Sequence, residues 1–124
     1  MDVIEITAKK QEAFSCITVK GEIDTQTCSE LRSALIEPVD SGLDLIVDIT
    51  EVAYIDSSSI GVLVGARKRC GKAGRRMIIV CSGKNRIIHK IFRMVGLDAF
   101  FTIVPTVDVA IKQLNELVAE ASRN

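Results

Sequence analysis

Apolar residues dominate Val3 to Ala8 and again Ala13 to Val19, and each stretch predicts a short strand. The polar stretch Lys9–Glu12 joins them closely enough for a hairpin, and Gly21 then breaks the pattern. Asp24 reads as a helix N-cap, because its carboxylate can accept bonds from the free amides of a first turn. The helix behind it is expected from about Thr25 to Glu37, with Cys28, Leu31 and Leu35 on one face, ended by Pro38 and Gly42. Leu43 to Ile49 (LDLIVDI) is a β-branched apolar run suited to a central strand, and Ile55 closes a short extension after it. Asp56 and the serines behind it open a second helix that continues through Ile60, Leu63 and Val64 to about Lys72, with Gly71 and Gly74 as its stop. Met77 to Cys81 predicts a strand. Asn85 to Val95 predicts a helix carrying Ile87, Ile88, Ile91, Phe92 and Val95, bounded by Gly96. Phe100 to Val104 predicts the last strand. Thr106 caps a final helix bearing Val107, Ala110, Ile111, Leu114, Leu117, Val118 and Ala121, with fraying expected over Ala121 to Asn124.

The element order is therefore β-β-α-β-α-β-α-β-α. Strands alternating with helices imply right-handed crossovers, and so an α/β fold with a mostly parallel five-stranded sheet, an antiparallel N-terminal edge strand and four helices. The 124 residues suit one domain spanning 1–124, long enough to bury a core without metal or disulfide.

Composition narrows the class further. Hydrophobic residues make up 48% of the chain but aromatic ones only 4%, so the core is aliphatic. Sixteen basic residues balance 16 acidic ones, which argues against long-range attraction to nucleic acid or an anionic membrane. The start MDVIEITAKK carries acids where a secretion signal has bases, and no apolar run approaches a bilayer span. A cytoplasmic protein is expected. Cys16, Cys28, Cys70 and Cys81 form no C-x-x-C pair and have one histidine for company, which argues against zinc. Cys16 and Cys81 sit in apolar runs and read as small core residues. No metal and no cofactor is expected.

The chemistry concentrates in Tyr54-Ile55-Asp56-Ser57-Ser58-Ser59-Ile60-Gly61, where a strand hands over to a helix. Amides of a first helical turn lack internal partners, and the helix dipole adds positive character there. A serine at this point can cap the helix. It can also carry a phosphate, whose charge of roughly −1.5 to −2 is tolerated by those amides. Local physics alone leaves both uses open.

The block I-D-S-S-S-I-G resembles the D-S-S/T-G-L/I-G signature of STAS domains in bacterial anti-sigma factor antagonists. Gly21-Glu22-Ile23-Asp24 resembles the family's G-E-L/I-D block, in matching register, and Gly96-Leu97 resembles a G-L pair that follows the third helix. The resemblance spans essentially the whole chain and implies a phospho-switch. A GHKL-type anti-sigma factor with serine kinase activity would bind the unphosphorylated protein, freeing the sigma factor, and would phosphorylate the serine after the Asp, here Ser57. The phosphorylated form would be released and reset by a PP2C-type serine phosphatase. By the same resemblance Asp24, with Glu22, Asp56, Ser57, Ser58, Ser59 and Ile60, forms the partner-binding surface. Ser59 stands where the family usually has glycine, and so adds a neighbouring hydroxyl. The resemblance equally allows an interaction module in a signalling or secretion-regulating assembly without direct sigma factor control, as monomer or weak dimer.

Enzymatic readings find little support. No G-x-S-x-G elbow surrounds Ser57, and His89, the single histidine, sits in a predicted helix beside Ile87 and Ile88 as a partly buried surface residue. Gly65 to Gly71-Lys72 spaces its glycines with five intervening residues where a P-loop needs four, and Ala73 replaces the magnesium-binding hydroxyl. The basic run Arg67-Lys68-Arg69, with Lys72, Arg75 and Arg76, has few aromatics for base stacking and reads as a solvated helix face, some of it available to an acidic protein partner.

Overall fold

The computed structural model describes residues 4–123, with side chains to residue 116. Five strands form one sheet in the order β1 (Glu5–Lys10), β2 (Phe14–Ile23), β3 (Asp44–Ile55), β4 (Met77–Val80) and β5 (Thr102–Val104). β1 runs antiparallel to β2 in a hairpin from Glu5↔Lys20 to Lys10↔Ser15, and every later pairing is parallel. The expected architecture is the observed one. The start of the first strand at Val3 lies outside the described residues.

Because the parallel strands advance in one direction, their crossovers place α1 (Cys28–Asp40), α2 (Ser57–Lys72) and α3 (Arg86–Met94) on the same face. Leu31 and Leu35 of α1, Val62 and Leu63 of α2, and Ile88 and Phe92 of α3 close over Ile17, Val19, Leu45, Val47, Ile49 and Ile79. The alternate residues Ile46, Ile78, Val80 and Val104 face the other way, under Ala110 and Leu114 of α4 (Val107–Arg123). Thr106 caps α4 through the Val109 amide at 3.2 Å, as expected. The helical positions Leu117, Val118 and Ala121, and the fraying of 121–124, fall where side chains or residues are outside the description.

Several boundaries differ from those the sequence predicts, each for a local reason. β2 does not stop at Gly21; it runs on to Ile23, with Gly21 at φ 101° beside a register shift that the residue's freedom accommodates. Helix α1 begins at Cys28, not Thr25, and its N-cap is Thr27. Asp24 is therefore not the helix cap: its Oδ1 accepts from the amides of Gln26 at 3.0 Å and Thr27 at 3.1 Å, closing an Asx turn ahead of the helix. At the other end Pro38 lies inside the last turn and is buried, and α1 continues to Asp40. The stop comes from Gly42 at φ 84°, after which the Leu43 amide reaches back to Pro38 O at 3.0 Å.

In α3, Ile88 and Phe92 are buried, but Ile87 and Val95 are more than half exposed, so two of the five expected packing positions face outward. Asn85 is the N-cap rather than the first helical residue. Cys70 and Cys81 are buried, whereas Cys16 is only half-buried. Burial pushes the Cys70 and Cys81 thiols up to about 11, which leaves both protonated at neutral pH.

Candidate functional site

The site is made by the part of β3 that outruns β4. Their pairing ends at Asp48↔Val80, while β3 continues to Ile55 against β2 alone. In that stretch β3 holds two more residues than β2. Thr18↔Asp48 is followed by Lys20↔Glu51, and Gly21↔Val52 by Glu22↔Tyr54. Each bulge rotates the strand, so that Ile49, Val52 and Ile55 all point into the core at a spacing of three rather than two. Asn85 clamps the bulged segment, its Nδ2 donating to Thr50 O at 2.9 Å and Val52 O at 2.8 Å, while its Oδ1 accepts from the Ile88 amide.

Bulging carries the end of β3 level with the end of β2. Ile23 pairs with Ile55, and the Asp56 amide donates to Ile23 O at 3.3 Å. Glu22 and Asp24, from one sequence block, thus stand beside Tyr54 and Asp56 from the other, at the carboxyl end of the parallel sheet. Thr25 links the two blocks: its hydroxyl donates to Asp56 Oδ2 at 3.4 Å and lies 3.5 Å from Ser58 Oγ.

Asp56 is the N-cap of α2. Its Oδ1 accepts from both the amide and the hydroxyl of Ser59, each at 2.9 Å, and its carbonyl accepts from the Ile60 amide at 3.0 Å. The Ser59 amide, with help from the hydroxyls of Ser59 and Thr25, holds the Asp56 carboxyl below its ordinary value of 3.8 against a smaller opposing effect of burial. Asp56 is therefore a fixed anion at neutral pH. The amides of Ser57 and Ser58 are those a helix start leaves without an internal partner.

The three serines differ in exposure and in hydrogen bonding. Ser57 is exposed, and its hydroxyl has no hydrogen-bond partner among the described residues. Ser58 is exposed and has its long contact with Thr25. Ser59 is fully buried and turned onto Asp56. The side chain that departs from the family glycine thus stays off the surface. Ile60 is half-buried and packs against the core. Thr25 and Asn85 were not among the expected site residues. Thr25 directly follows the G-E-I-D block, and Asn85 heads the third helix, but their roles arise only when distant segments meet.

The other constellations resolve as surface structure. The Gly65–Lys72 segment lies within helix α2 and forms no loop. Of the basic run, Arg69 makes a two-point bond to Asp40 at 2.8 Å each, Arg75 donates to Gly42 O at 3.0 Å, and Arg67 lies over the Phe100 ring. His89 is half-buried, with Nε2 3.1 Å from Cys81 O. No helix among the described residues is long and apolar enough to cross a membrane.

The five-stranded sheet of this order thus carries, at its carboxyl end, a serine-rich helix start beside the acidic residues that close β2. The chain belongs to the STAS-domain family, whose model matches residues 5–110. It is 36% identical over 88 residues to a protein of Listeria monocytogenes named anti-sigma-B factor antagonist, covering 70% of this chain and 75% of that one. A Bacillus subtilis protein of the same name is 34% identical over 71 residues, 57% of this chain and 65% of that one. Among solved structures, an anti-sigma factor antagonist from Mycobacterium paratuberculosis superposes with a TM-score of 0.81 at 24% identity, over 91% of this chain and 95% of the other. The unphosphorylated form of the antagonist SpoIIAA gives a TM-score of 0.72 at 18% identity, over 90% and 97%. At these identities the structural likeness speaks for the fold.

Proposed function

We propose that this chain is an anti-sigma factor antagonist of the cytoplasm that works as a phospho-switch at Ser57. Unphosphorylated, the surface of Glu22, Asp24, Asp56, Ser57 and Ser58 docks on an anti-sigma factor that is a GHKL-type serine kinase. The Ser57 oxygen then attacks the terminal phosphorus of ATP, the bond to the departing ADP breaks, and the hydroxyl proton leaves to the kinase. A PP2C-type phosphatase hydrolyses the ester and restores the binding form.

One observation carries this reading: Ser57 is the serine of the cluster that is both exposed and unengaged, and it stands at the first position of a helix whose free amides tolerate a dianion. The named relatives support the choice of partner. Release follows from charge. Phosphate adds roughly −1.5 to −2 to a rim that already holds the fixed anion of Asp56, and a partner shaped for that rim must desolvate it.

The test is a binding titration against such a kinase. Ser57→Ala is expected to bind as tightly as wild type and to stay bound when ATP is added. Ser57→Asp is expected to bind about a hundredfold more weakly, equivalent to about 2.8 kcal/mol. Equal affinity of the two variants would refute the switch.

A further inference from the structure

A groove between α1 and α2 has no role in the reading above. Its volume is about 470 Å³, and its walls come from Arg32, Leu35 and Ile36 of α1 and from Gly61 to Lys72 of α2. Leu35, Val62 and Ala66 give it an apolar floor. The rim holds four cations, Arg32, Lys68, Arg69 and Lys72, and no carboxylate lines it. Asp40 meets Arg69 at the far end of α1 and leaves the other three uncompensated within the groove. On the α2 side the wall is cut low by Gly61 and Gly65, above which no heavy atom lies within 4 Å of where a Cβ would stand.

The position of the groove gives it meaning. Residues 57, 61, 65, 68 and 72 fall along one stripe of α2, at the spacing of successive turns. The stripe from Gly61 to Lys72 is about 16 Å long at 1.5 Å per residue, room for roughly three turns of a partner helix. A segment lying in it ends one turn from the Ser57 hydroxyl. The two ends of the stripe differ in sign: acidic at Asp56, basic at Lys68 and Lys72.

We infer that this groove is a docking site for an acidic amphipathic helix of the protein that phosphorylates Ser57. Its apolar face covers Leu35, Val62 and Ala66, and its carboxylates meet Arg32, Lys68 and Lys72. The inference rests on the phospho-switch reading and deepens it. Docking holds the kinase while the hydroxyl is delivered, so the groove governs capture and not the chemical step.

The experiment compares wild type with Arg32→Glu/Lys68→Glu/Lys72→Glu and with Gly65→Leu, using the kinase and ATP. The charge-reversed variant is expected to associate about tenfold more slowly, to lose the salt dependence of that rate, and to raise KM for Ser57 phosphorylation with kcat unchanged. Gly65→Leu leaves every charge in place and replaces a helical glycine, so its thermal midpoint is expected to rise while its affinity falls. Opposite movement of stability and affinity excludes misfolding as the cause. Association rates and KM within twofold of wild type in both variants would overturn the groove assignment and leave the Ser57 switch standing. Failure of wild type itself to bind or be phosphorylated would remove both. Salt-sensitive self-association of wild type, abolished by the charge reversal, would overturn the assignment in favour of a second copy of this chain.

Discussion

The two halves of β3 are held in different ways. The first, from Asp44 to Ile49, has strands paired on both sides over Leu45 to Asp48 and helices over both faces: Leu45, Val47 and Ile49 lie under α1 to α3, and Ile46 lies under α4. Thr50 to Ile55 has β2 on one side, the Asn85 side chain on the other, and leaves Glu51, Ala53 and Tyr54 exposed. The first half anchors the sheet. The second spends its inward residues, Val52 and Ile55, on holding position, and its bulges set Asp56 and Ser57 at the rim. The site is therefore carried by a strand whose root is immobilised and whose tip is accessible, which suits a surface that an enzyme must reach.

This contrast predicts a gradient of mutational effects. Leu45→Ala, in the covered half, is expected to cost about 3 kcal/mol, read as a fall in the denaturant midpoint, because it opens a cavity where the surroundings cannot collapse. A loss below about 1 kcal/mol would show that the root of the strand is not the anchor. Asp56→Ala is expected to cost about 2 kcal/mol, since it removes the cap of α2 and strands the buried Ser59 hydroxyl. The same bonds give wild type an acid dependence that the variant lacks. The folded Asp56 titrates below its ordinary 3.8, so its contribution is complete above that pH and disappears as pH falls through the lowered value. Parallel stability curves of the two proteins between neutral and acid pH would break this account. At the exposed end, Tyr54→Ala is expected to change stability by no more than about 0.5 kcal/mol in the same denaturation assay.

The same contrast governs what could be read from the sequence. Closely spaced apolar stretches mark the hairpin, and Leu45-Ile46-Val47 with Ile49 mark the root of β3, because regular strands pack regular faces. The extension to Ile55 was only half legible: the inward residues Ile49, Val52 and Ile55 recur at three, a spacing that fits neither a plain strand nor a helix until the bulges against β2 are seen. Asp24 illustrates a different limit. A carboxylate before an apolar periodic stretch has the signature of an N-cap, yet here its bonds close a turn that delays the helix to Cys28. The Asp56–Ser57 step was legible, since both the cap and the exposed hydroxyl follow from the strand-to-helix junction. The choice of Ser57 over Ser58 and Ser59 came from the family motif and not from local pattern, which cannot show which way each hydroxyl turns once Thr25 and Asp56 are brought together. Nor was the cationic groove legible, since its walls come from two helices about thirty residues apart, an ordinary separation for a tertiary contact.

The account stands on the identity of a single oxygen. Wild-type protein incubated with the kinase and ATP, then digested and sequenced by tandem mass spectrometry, is predicted to carry one phosphoryl group, on Ser57, with Ser58 and Ser59 unmodified. Phosphate on Ser58 or Ser59, or a chain that remains unmodified while bound to an active kinase, would contradict it.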